Sequence, residues 1–125
     1  MILTTSEVIE IHEELVAATG GASGIRNMGL LESAVMGCSQ SFGGVELYPT
    51  IPQKAARMAY AISKNHPFVD GNKRVSVTAM LVILRMNGVA LSFMQEELIE
   101  LGLGIANDSL DYEAILTWIY AHLEK

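Results

Sequence analysis

The sequence predicts an all-α protein, a compact helical domain of about six helices around a central buried one. Three features lead there. Helix-start patterns, with a hydroxyl residue three positions before Glu or Gln, recur along the chain. The apolar residues that follow them return at intervals of three and four. The apolar content is also aliphatic: 50% of the 125 residues are hydrophobic but only 6% aromatic, with seven Met and one Trp. That composition suits packed helices better than a sheet sandwich. A chain of this length is expected to form one domain over residues 1–125, since single cores are commonly built from about 100 to 200 residues.

Thr4-x-x-Glu7 opens helix one, and Val8, Ile11 and Leu15 carry it to about Ala18, where Gly20-Gly21 stops it. Leu30, Leu31, Ala34 and Val35 mark a short second helix from Met28 to Gly37. Residues 39 to 49, with Gly43-Gly44 between Phe42 and Val45, read as a hairpin or mobile flap. Thr50-x-x-Gln53, with Pro52 in the first turn, starts helix three over roughly 51 to 65; Pro67 ends it near His66. From Val75 to Met86 apolar residues surround the helix instead of forming one stripe, as befits the centre of a domain, and Asn87-Gly88 ends it. Ser92-x-x-Gln95 is expected to open a fifth helix to about Ile105, and Ser109 a sixth carrying Ile115, Trp118 and Leu123.

Eight Lys and Arg against fourteen Asp and Glu give a net charge of −6. Such a chain repels polyphosphate, so direct nucleic-acid binding is not expected, and a phosphate ligand must be small and meet a focused positive cluster. The single Cys38 excludes an internal disulfide and suits a reducing compartment, so the expected location is cytoplasmic. The N-terminus lacks the pattern of a signal peptide, and the most apolar stretch is half the ~20 residues of a membrane span, so no membrane is expected.

One stretch gathers unusual chemistry: His66-Pro67-Phe68-Val69-Asp70-Gly71-Asn72-Lys73-Arg74, between helix three and the central helix. A glycine-containing loop entering a helix offers free backbone N–H groups and the positive end of the helix dipole, and Lys73 and Arg74 add cations. Asp70 is a hard oxygen ligand suited to Mg2+ on a nucleotide. His66 carries an imidazole, a group that can take a proton from a hydroxyl at neutral pH. Base, metal ligand and phosphate clamp together describe phosphoryl or nucleotidyl transfer. The plainer reading stands beside it: Asp-Gly-Asn is ordinary turn chemistry, Asp70 can cap the helix, and His66 can be a buried structural imidazole. Elsewhere, His12 reads as a hydrogen-bonded structural histidine, His122 as exposed, Arg57 and Lys64 as solvated, and the Met residues as core filler.

The segment resembles the signature of the Fic/Doc (Fido) family, His-x-Phe-x-[Asp/Glu]-Gly-Asn-x-Arg, and its Asn-Lys-Arg ending resembles the death-on-curing (Doc) branch of toxin-antitoxin toxins. Gly20-Gly21 through Gly29-Leu30-Leu31-Glu32-Ser33-Ala34 and Leu84-Arg85-Met86-Asn87-Gly88 are similar to further family segments. The resemblance implies a Fido-type fold in which His66 is the general base towards a target Ser or Thr, Phe68 anchors the loop and Asp70 binds Mg2+. It also implies that Gly71, Asn72 and Lys73 line the anion nest, that Arg74 holds ATP phosphates, and that residues 39 to 49 dock a target segment by strand pairing. Adenylylating relatives read Gly-Asn-Gly-Arg-x-x-Arg; here Lys73 replaces the second Gly and Val77 the second Arg. Resemblance to Doc-type relatives with this pattern implies γ-phosphate transfer to a translation elongation factor in preference to AMP transfer at the same site. A catalytically silent Fido-fold binding module is the third alternative. The inhibitory pattern [Ser/Thr]-x-x-x-Glu-[Gly/Asn] is matched nowhere, because Glu10, Glu96 and Glu113 are followed by Ile11, Glu97 and Ala114. Inhibition is therefore expected from a separate antitoxin.

Overall fold

The computed structural model describes residues 2–124, and among these six α-helices and one small hairpin form an all-α fold. Helix α1 (Thr5–Thr19) starts at a full capping box, Thr4 Oγ1 accepting from the Glu7 amide while the Glu7 carboxylate accepts from the Thr4 amide. Asn27 caps α2 (Met28–Met36), which runs into one 3-10 turn, Gly37–Ser39. Strands β1 (Ser41–Phe42) and β2 (Val45–Glu46) pair antiparallel as the expected flap. The second capping box, Thr50 with Gln53, starts α3 (Ile51–Asn65), and α3 ends at His66 in left-handed geometry.

Helix α4 (Asn72–Met86) begins three residues before the apolar run, so Lys73 and Arg74 stand in its first turn. Val75, Ala79, Met80, Ile83 and Leu84 are fully buried or nearly so, and Val77, Leu81 and Val82 are half-buried against the same core. Its main packing partner is α3, in which Ala55, Ala56, Met58, Ala59 and Ile62 are buried. The alanines let the two backbones approach, and each fully buried Ile or Leu adds about 1.5–3 kcal/mol relative to exposure. Met58 and Met80 are core residues as expected, whereas Met36 and Met94 are exposed.

Three expectations need correction near the C-terminus. Helix α5 (Gln95–Ala106) is capped from Met94, whose amide donates to Glu97, and not from Ser92. The Ser92 amide is already taken by the His122 carbonyl across a bridge between Leu91 and Leu123. Helix α6 (Tyr112–Ala121) is capped by Asp111, not Ser109, because the Ser109 amide and hydroxyl are used on Asn107 and Gly104 at the end of α5. His122 is not exposed: it stacks on Trp118, with its Nδ1 2.7 Å from the Trp118 carbonyl and its Nε2 2.7 Å from Glu97. No helix among the described residues is long and apolar enough to cross a membrane.

Candidate active site

The motif loop is shaped by main-chain bonds to the segment that follows α1. Arg26 and Asn27 amides both donate to the Pro67 carbonyl, the Val69 amide donates to Gly24, and Ile25 bridges to Phe68. Phe68 is 1% exposed and lies flat on the His12 ring, with centroids 3.9 Å apart, so the expected anchor is in place. His12 is buried, and its Nε2 donates to the Asp70 carbonyl at 2.6 Å, so this structural histidine holds the loop from beneath.

Asn72, expected to line the anion nest, borders the motif pocket and also shapes the loop with its side chain. Its amide accepts from the Phe68 N–H and donates to the Phe68 carbonyl, both at 3.0 Å, and so pins the loop. The same side-chain nitrogen lies 3.4 Å from His66 Nδ1, a long contact in which the amide can only donate and Nδ1 can only accept. His66 itself is exposed. Its left-handed backbone (φ 47°) is unusual for a residue with a Cβ. Arg26 compensates, its guanidinium donating to the His66 and Asn65 carbonyls at 2.7 and 2.8 Å and closing the end of α3.

Gly71 is the left-handed N-cap of α4, and no side chain caps that helix. The amides of Asn72, Lys73 and Arg74 therefore sit at a helix start without intrahelical acceptors. Asp70 does not cap it either: its Oδ1 accepts from Gly71 and its Oδ2 from Ala22. These two backbone N–H bonds, Ala22 first, hold the Asp70 carboxyl below its ordinary range, so it is ionised at neutral pH with lone pairs still open. Arg74 reaches back to Thr19 Oγ1 and the Gly20 carbonyl. Gly21 separates the two: a Cβ there would lie 2.7 Å from Asp70 Oδ2 and 3.0 Å from Arg74 Nη2.

His66, Asp70, Gly71, Asn72, Lys73 and Arg74 thus surround one pocket of about 390 Å³. Among the described residues no cluster of three or more His, Cys, Asp or Glu could hold a metal alone. A lone ionised Asp beside helix amides instead suits Mg2+ that brings phosphate oxygens with it. Lys73 and Arg74 also border a second, apolar groove of about 370 Å³ between α1, α4 and α5, lined by Leu15, Val77, Leu98 and Leu103. Lys64 is exposed as expected; Arg57 is not solvated but half-buried, with a buried Nε. Arg26 and Gly21 shape the site in ways that motif reading missed, while His12 is the hydrogen-bonded structural histidine expected.

Comparison with known proteins adds to this geometry. A family model described as Fic/DOC family matches residues 2–84. Over 90 residues the chain is 40% identical to the Toxin Doc of Mycolicibacterium smegmatis, covering 70% of this chain and 69% of that protein. It is 28% identical over 113 residues to the Protein kinase doc of Escherichia phage P1, covering 90% and 88%.

Proposed function

The chain belongs to the Fic/DOC family, and from this premise we propose that it is a Doc-type toxin, a Ser/Thr protein kinase acting with Mg-ATP in the cytoplasm on a translation elongation factor. The observation that carries the reading is the single loop that gathers His66, an ionised Asp70 and the free amides at the start of α4 around one pocket. His66 accepts the proton of the attacking target hydroxyl as the new O–P bond forms and the bond to departing ADP breaks. The amides of Asn72 to Arg74 and the Arg74 guanidinium hold the phosphates in line. Asp70 holds Mg2+, which when bound neutralises phosphate charge. The relative named a protein kinase supports phosphate over AMP as the transferred group.

A separate antitoxin would silence the site, a reading supported by the toxin named among the relatives. The groove between α1, α4 and α5 gives its helix a place to lie, since Ile99 and Leu103 are each 52% exposed there and Lys73 and Arg74 form its rim. Intact mass of an elongation factor incubated with the protein and Mg-ATP tests the reading. A gain of phosphate supports it, a gain of AMP gives the site to adenylylation, and no change with a panel of candidate targets leaves the silent binding module.

A further inference from the structure

A cavity of about 660 Å³, larger than the motif pocket, lies between the end of α2, the 3-10 turn and α3, at the root of the flap. Arg57 of α3 lines it together with Ser33, Ser39 and Gln40. The guanidinium passes over the Tyr48 ring, 5.6 Å from its centroid, and lies against Gly37, where a Cβ would come within 3.6 Å of Nε and Nη2. Its Nε is buried without a hydrogen-bond partner. No carboxylate among the described residues is within ion-pair distance of it.

The neighbours cannot supply the missing charge. Glu46 is held by Lys54 at 2.9 Å, and the same ammonium donates to the Cys38 carbonyl. Cys38 stays a neutral thiol, because burial pushes its pKa up to about 11. Burial also raises Tyr112, whose ring meets Tyr48, so it stays a phenol. A half-buried guanidinium whose Nε is shut off from water with no acceptor beside it calls for one from outside.

We propose that this cavity is a second binding site, distinct from the motif pocket, and that it takes a carboxylate. With Tyr48 across one face, the guanidinium is left to bind through its edge, where Nε–H and Nη–H match the two oxygens of a carboxylate. Lys54, the other cation acting on Cys38, is already paired, so the site holds one uncompensated positive charge and suits a monoanion better than phosphate. Ser33, Ser39 and Gln40 offer hydrogen bonds to the rest of the ligand. The site does not depend on the proposed transfer reaction.

The test follows the Arg57 Nε–H resonance of the full chain by 1H–15N NMR, assigned by its loss in Arg57→Lys, during titration with acetate, N-acetylglutamate N-methylamide and inorganic phosphate. A saturable shift with either carboxylate, at least tenfold weaker in Ser39→Leu, which fills the cavity and keeps Arg57, is the expected result. Tighter binding of the blocked glutamate points to an acidic side chain on a polypeptide, and tighter binding of acetate to a small free carboxylate. Stronger binding of phosphate than of both carboxylates, or only the linear drift that sodium chloride gives, would overturn the proposal.

Discussion

The two irregular segments at the ends of α3 are built in opposite ways. The flap before it has two-residue strands, with Phe42 and Val45 81% and 68% exposed. Beyond its own pairing it is tied down by a Leu47 amide to the Gln40 carbonyl and by Lys54 on Glu46. The motif loop after α3 is held from beneath by His12, across by Pro67 and Val69 on the 24–27 segment, and within by Asn72 on Phe68. On the proposed function, the loop charges that would meet a nucleotide are fixed by bonds in partly buried surroundings, and the flap that would meet a protein is left open, where partner contacts can order it.

The contrast can be tested from its stronger side first. His66→Ala should lower target modification by roughly 10²- to 10⁴-fold with stability unchanged, read by rate and by thermal unfolding. Modification at the wild-type rate would remove His66 from the reaction. Gly21→Val puts a Cβ on a residue at φ 106° and against Asp70 and Arg74. A cost of about 1–3 kcal/mol and at least tenfold weaker ATP binding by calorimetry are expected. Arg26→Ala releases two carbonyls at the end of α3 and should cost about 1–3 kcal/mol by urea unfolding, with Arg26→Lys recovering part of it. Phe42→Ala on the flap should stay within about 0.5 kcal/mol of wild type and raise KM for the target without lowering kcat. A stability loss as large as that of Arg26→Ala would erase the distinction between the two segments.

The smallest effect lies at the C-terminal clamp. Both His122 nitrogens face acceptors, Glu97 and the Trp118 carbonyl, so only the imidazolium satisfies both. The His122 pKa is raised, by Glu97 first, and that of Glu97 is lowered, by the Met94 amide first and then by His122. The His122 contribution is complete below its ordinary 6.5 and fades as pH rises through the raised value; that of Glu97 is complete above its ordinary 4.5 and fades as pH falls through the lowered one. A melting-temperature profile should therefore be highest between those limits, and His122→Asn should flatten its alkaline side.

Local chemistry was readable in the sequence, and long-range chemistry was not. The boxes of Thr4 and Thr50 close within three residues, and both helices start where their pattern says. Ser92 shows the same pattern, but its amide is claimed by His122 from thirty positions away, and the helix start moves to Met94. The motif was visible because its residues are contiguous. Arg26 was not, since the carbonyls it closes lie 39 and 40 residues further on. Arg57 looked like surface for the same reason: Gly37 of the 3-10 turn and Tyr48, which lie against it, arrive from other parts of the chain.

Helix α3 is a single rod of 15 residues with the flap at one end and His66 at the other. Arg57 stands nine positions before His66, which at 1.5 Å and 100° per residue is about 13 Å along the axis and half a turn around it. On the two readings proposed above, the rod would act as a spacer with its stations on opposite sides: a group gripped at Arg57 would keep clear of a hydroxyl at His66, and the distance between them would set the reach that anything touching both must have.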